Sequence, residues 1–160
     1  MYRLQASFLL AVGALASCWA DSDSEVHVLP AGFSGPVVIV YADSDSAEAT
    51  RNDQGATVYC IPDSGVLRVS NAPRPAGFYD ISYFYEAPDG TRTDIPSSRD
   101  AQGTRIFGAV DGVTGSAPDE VRWQAYVVGD PDTFREWGWH REAHVSQALG
   151  QPPPIRPRTQ

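Results

Sequence analysis

Thirteen prolines and fourteen glycines punctuate this chain of 160 residues without a collagen period. Proline removes a backbone donor and glycine admits turn conformations, so the segments between them stay short. Punctuation of that density argues against a helical bundle and points to many short strands joined by turns. One domain is all the length allows once an export segment is set aside. Hydrophobic residues make up 42% and charged residues 20%, close to globular usage, which argues against a largely disordered chain and a polytopic membrane protein.

The segments can be placed in order. Glu25 to Leu29 opens the first strand. Pro36-Val37-Val38-Ile39-Val40-Tyr41 is a continuous β-branched run, as in a central strand covered on both faces. Ala42 to Gln54 is acidic, serine-rich and aperiodic, and reads as a long loop. Ala56–Ile61 and Val66–Ser70 flank Pro62-Asp63-Ser64-Gly65, which predicts a hairpin. Asn71 to Gly77 is a loop. Tyr79 to Glu86 is an aromatic strand, and Pro88-Asp89-Gly90 turns it back into Thr91–Ile95 as a second hairpin. Thr104 to Val110 is a strand closed by Asp111-Gly112, and Val113–Glu120 is a loop. Val121, Trp123, Ala125 and Val127 then alternate with Arg122, Gln124 and Tyr126, so this last strand should bury one face.

A helix is predicted over residues 131–149. Asp130 suits an N-cap, Pro131 the first helical position and Asp132 the positive helix end. Phe134, Trp137, Arg141, Val145 and Ala148-Leu149 follow helical spacing and form one apolar face, and Gly150 stops the helix. The tail 150–160 is proline-rich and reads as disordered. Residues 26–149 therefore predict a single mainly β domain: an antiparallel β-sandwich or open barrel of about 7–8 strands with one C-terminal helix.

Residues 1–17 read as a bacterial export signal. Arg3 follows the N-terminus, and a largely apolar stretch runs from Ala6 to Ala16, too short to cross a bilayer as a helix. It ends in Leu15-Ala16-Ser17-Cys18, the pattern of a lipobox: a branched apolar residue, two small residues, then the cysteine whose thiol accepts a diacylglyceryl group. Residues 18–25 read as a soluble tether. Cys18 is thus the expected lipidation site, and the membrane the expected partner through that lipid. In a cell with two membranes this means the outer membrane, and otherwise the cell surface. If Cys18 instead stayed a thiol, the product would be freely secreted and a Cys18–Cys60 disulfide could form. Cys60, inside a strand-like run, reads as a small buried hydrophobe.

Several of these segments together resemble a family of uncharacterised bacterial exported domains, a domain-of-unknown-function family. The resemblance rests on Leu29-Pro30-Ala31-Gly32-Phe33-Ser34-Gly35 leading into Val37-Val38-Ile39, then Ile61-Pro62-Asp63-Ser64-Gly65-Val66-Leu67 and Tyr83-Phe84-Tyr85. Ile106-Phe107-Gly108 and Tyr126-Val127-Val128-Gly129 complete it. It covers roughly residues 27–130. It implies a β domain in the cell envelope and carries no catalytic residue.

Candidate chemistry is sparse. A net charge of −8 argues against a nucleic-acid partner. His140 and His144 stand at i and i+4, but Glu142 points away from both and no third ligand is apparent, so the pair reads as a solvated helix face and no metal site is predicted. Ser34, within Gly32-Phe33-Ser34-Gly35, lacks the spacing of a nucleophile elbow. Asp43-Ser44-Asp45 with Glu48 lacks the glycine and glutamate of a calcium loop. No catalytic residue and no cofactor are predicted. Among the aromatics, which mostly suit a core, Trp139, Tyr83 and Tyr85 are the candidates for a ligand surface that would take an envelope protein or glycan. The expected function is a lipid-anchored envelope module that binds or supports. The alternative is a small exported hydrolase.

Overall fold

A computed structural model describes residues 24–73, 80–97 and 102–151. Their nine strands are β1 (Glu25–Pro30), β2 (Gly35–Val40), β3 (Thr50–Arg51), β4 (Thr57–Cys60), β5 (Val66–Arg68), β6 (Ile81–Glu86), β7 (Arg92–Asp94), β8 (Arg105–Thr114) and β9 (Val121–Gly129), followed by the helix α1 (Pro131–Ala148). Five strands form one sheet in the order β3-β4-β1-β6-β7, and four form a second in the order β5-β2-β9-β8. The two sheets pack as an open sandwich rather than a closed barrel, and α1 lies on the outer side of the four-stranded sheet.

This layering explains the composition of β2 and β9. Val37, Ile39, Tyr126 and Val128 face the five-stranded sheet, where they meet Leu29, Tyr59, Ile61, Tyr83 and Ile95. Val38, Val40, Ala125 and Val127 face the helix, where they meet Trp137, Val145 and Ala148. A strand buried on both faces needs apolar side chains at every position, so the Val37–Val40 run carries the centre of the fold. Val37 and Ile39 are wholly inaccessible, and Val38 is 2% exposed.

The helix starts where the caps place it. The Asp130 carboxylate accepts from the backbone N–H groups of Asp132 and Thr133, at 3.1 and 2.8 Å. Phe134 and Trp137 stack, and Phe134 also stacks on Phe107 of β8. The Arg141 guanidinium lies over the Trp137 ring at 6.0 Å. The last turn of α1 holds no basic residue of its own. Arg68 of β5 supplies that charge, donating to the Ala148 carbonyl and pairing with Asp43 at 3.0 Å.

Six expectations are corrected. The sheets are mixed rather than purely antiparallel: β1 runs parallel to both β4 and β6, and β2 parallel to β5. The turn Pro62–Gly65 exists, with Gly65 N–H donating to Pro62 at 2.9 Å, but it is not a hairpin. Its flanking strands belong to different sheets, so the turn hands the chain from one layer to the other; turn chemistry fixes a local reversal, not which edge the chain pairs with next. The β6–β7 hairpin is present as expected.

In β9 the alternating "polar" positions Gln124 and Tyr126 are buried, because the five-stranded sheet covers the face opposite the helix. In β8 the strand does not close at Asp111-Gly112. A bulge between Phe107 and Val110 absorbs one residue, and pairing with β9 resumes to Thr114. Cys60 is exposed rather than buried. Tyr59 points into the sandwich, so Cys60 takes the outer face of the five-stranded sheet, while α1 covers the other sheet. The Ala42–Gln54 segment, expected as loop throughout, also contributes the two residues of β3, paired with β4. Residues 1–23, Tyr79 and the tail from 152 on lie outside the described residues.

Candidate functional site

β1 presents Glu25, His27 and Leu29 to the interior of the sandwich. Period-two alternation sends every second side chain inward, so two polar residues arrive where the core is driest. His27 is fully buried and Glu25 is 3% exposed. The imidazole is held at both nitrogens: Nδ1 lies 3.0 Å from the Tyr126 hydroxyl, and Nε2 lies 3.2 Å from Glu25 Oε2. With Glu25 ionised, the carboxylate can only accept, so Nε2–H donates to it and the Tyr126 O–H donates to Nδ1. The contact joins β1 of one sheet to β9 of the other.

Three tyrosines box the imidazole. The centroids of Tyr59, Tyr83 and Tyr126 stand 5.2, 5.1 and 5.4 Å from that of His27. Tyr41 extends the cluster through Tyr59 at 6.2 Å. These are edge or tilted contacts, the arrangement aromatic quadrupoles favour. Burial disfavours every charged form here. It pushes the His27 pKa down to about 3 and that of Tyr83 up to about 12, with the Asp111 charge adding to the latter. Tyr41 and Tyr126 move further upward for the same reason. The His27 ring and the tyrosines around it therefore form a neutral, dry, hydrogen-bonded set. Buried polar groups are tolerated when satisfied and then fix one arrangement of the core. One amide oxygen nearby, Gln124 Oε1, is buried without a hydrogen-bond partner.

Two of the three expected ligand aromatics, Tyr83 and Tyr85, face the interior of the sandwich. Tyr83 is 6% exposed and belongs to the core, because it occupies an inward position of β6. Tyr85, also inward, is half-buried, and its hydroxyl donates to the Phe33 carbonyl at 2.7 Å. The side chain of Trp139 lies outside the described residues, as do Cys18 and the lipobox residues Leu15, Ala16 and Ser17. His144 is half-buried on α1, and burial together with the neighbouring His140 lowers its pKa. Among the described residues, no three metal-capable side chains converge. Two clefts open among the described residues. One, of about 380 Å³, lies at the β8 bulge beside Arg105, Phe107 and Phe134. The other, of about 410 Å³, lies between Val66, Arg68 and His144.

The sequence predicts the first strand but carries no motif that assigns a role to His27. The signal was Glu25-Val26-His27-Val28: two polar residues at strand spacing, interleaved with valines, on the face that must be inward if Leu29 is core.

The sequence profile of a family of unknown function, DUF6843, matches residues 21–130. The chain belongs to the DUF6843 family. The span that matches DUF6843 contains all nine strands and stops at Asp130, the N-cap of α1. No curated protein matches the chain. Among solved structures, the DUF6843 chain is similar to a crystal structure of a "Putative Lipoprotein from Bacillus anthracis", with a TM-score of 0.57 and 17% identity over 87% of this chain and 83% of the other. At that identity the likeness is one of fold.

Proposed function

We propose that this DUF6843 chain is a lipid-anchored module of the bacterial cell envelope, acting by binding or by structural support rather than by catalysis. The observation that carries the reading is Leu15-Ala16-Ser17-Cys18 at the end of an apolar stretch, with the folded domain beginning soon after it at Glu25. The description of the structural neighbour as a lipoprotein agrees with it. Among the described residues, no helix is long and apolar enough to cross a membrane, so covalent lipid is the attachment this reading invokes. One acyl chain binds marginally, whereas two or three, at about 0.8 kcal/mol per buried methylene, hold firmly. The anchored site is the outer membrane where a cell has two membranes, and the cell surface otherwise. The partner is an envelope protein or glycan.

The test is detergent phase partitioning with intact-mass analysis. Wild type should enter the detergent phase with a mass corresponding to an acylated Cys18 at its N-terminus. Cys18→Ser should yield an unprocessed precursor or a soluble product. The exposed position of Cys60 favours one competing reading, a secreted form with a Cys18–Cys60 disulfide. Aqueous wild type carrying that bridge would replace the lipid-anchored reading.

A further inference from the structure

We infer that the cleft at the β8 bulge is a binding site for a small carboxylic acid with an apolar body, Arg105 taking the carboxylate and the Phe107–Phe134 stack taking the body. The bulge builds the cleft. Gly108 and Ala109 have no partner in the β9 register, which passes from Phe107 opposite Val127 to Val110 opposite Ala125. A bulge bends its strand and re-aims the residues beside it. Gly108 takes a φ of +57°, and a Cβ there would stand 2.8 Å from the Phe134 ring, so glycine lets the helix bring Phe134 down onto the strand. The result is a recess of about 380 Å³ where β8 and α1 meet Tyr83 of the five-stranded sheet. Tyr83 and Ile106 are its buried residues, and Ser97, Arg105 and Ala109 line it nearer to solvent.

Size and lining suit a small molecule: apolar rings with a few polar groups among them. Charge then decides the class of ligand. The chain as a whole carries a net charge of −8, yet among the described residues that line the recess the charged group is the Arg105 guanidinium, and no carboxylate joins it. The Tyr83 hydroxyl stays protonated, because burial pushes its pKa up to about 12. Such a lining favours an anion over a cation, and one guanidinium balances a carboxylate better than a doubly charged phosphate. The planar fork of guanidinium N–H donors also matches the two oxygens of a carboxylate. Its placement is not left to chance. The Arg105 Cζ lies 4.5 Å from the centroid of the Phe107 ring, and that ring stacks on Phe134 at 5.1 Å with the planes 12° apart. Contact with the ring restricts the long side chain, so less rotamer freedom remains for a ligand to freeze. Phe107 and Phe134 also border the recess, so an apolar body joined to the carboxylate would leave water against them. The recess lies wholly within the folded domain, and its use does not depend on the lipid anchor.

Amide NMR titration of the full chain is the test, with N-acetylphenylalanine as the probe and its uncharged primary amide as the control. The acid should shift the Gly108 and Ala109 amide signals saturably, and the control should bind about tenfold more weakly. Arg105→Gln should weaken the acid by about the same factor and leave the control unchanged. Ala109→Leu, at an exposed position, should fill the recess and abolish the shifts. Glucuronic acid, whose carboxylate sits on a polar ring, should bind more weakly than the probe. No saturable shift at Gly108 and Ala109 with the probe, or equal affinity for the acid and its amide, overturns the carboxylate site. Equal affinity for glucuronic acid and the probe overturns the part given to the phenyl rings. If Arg105→Gln does not fold, the comparison of acid with amide decides in wild type.

Discussion

Gly65→Ala is the substitution whose cost separates two physical effects. Gly65 closes the turn that carries the chain from the five-stranded to the four-stranded sheet, and its φ is +72°. Its carbonyl accepts from Val38 N–H at 2.9 Å, which seats β5 against β2. A methyl group there meets two obstacles. The left-handed conformation costs a non-glycine residue about 1–2 kcal/mol. The added Cβ also runs into the Pro36 carbonyl oxygen and comes within 3.1 Å of the Phe33 ring. The carbonyl is backbone and cannot swing aside, so the strand must shift, at about 1–3 kcal/mol by analogy with overpacked cores. The sum is about 2–5 kcal/mol.

Gly90 provides the control. Its φ is +83°, in the β6–β7 turn, and an added Cβ there meets nothing within 4 Å. Gly90→Ala should therefore cost only the conformational part, about 1–2 kcal/mol. Equilibrium urea unfolding followed by tryptophan fluorescence measures both, provided the slopes against denaturant agree with wild type. Equal losses for the two variants would refute the close-approach argument and leave backbone conformation as the whole effect.

Two further outcomes follow from burial. Ile39 is wholly inaccessible between the sheets, so Ile39→Ala should cost about 2–5 kcal/mol in the same melts, and a loss below about 1 kcal/mol would make β2 peripheral. Cys60 is exposed on the folded domain, so a maleimide should label it without denaturant in a Cys18→Ser variant; labelling only after unfolding would contradict its outward position.

Local chemistry was legible and pairing was not. The β-branched residues of β2 announced a strand covered on both faces, and Asp130-Pro131 announced the start of α1 to the residue. Both signals lie within a few neighbouring residues. The parallel partners of β1, by contrast, come from strands about 30 and 55 residues further on, as Glu25 opposite Thr57 and Ile81 shows. No local signal encodes that choice. Tyr126 illustrates the same limit: alternation put it on the face opposite Ala125 and Val127, and only the second sheet made that side an interior. The role of His27 was not legible because its inward register follows only once Leu29 is taken as core, and the hydroxyl that satisfies its ring lies 99 residues away.

The position of β1 also has a mechanical consequence. Whatever pulls on the residues before Glu25 loads β1 along its own axis. The strand is flanked on both sides by parallel ladders, to β4 and β6, whose hydrogen bonds lie across that direction. Such a load shears both ladders at once, so many bonds share the force, whereas a terminal strand at a sheet edge would peel away one bond at a time. A domain tugged by its leading end is thus gripped at the centre of a sheet, which suits a chain end that must bear tension.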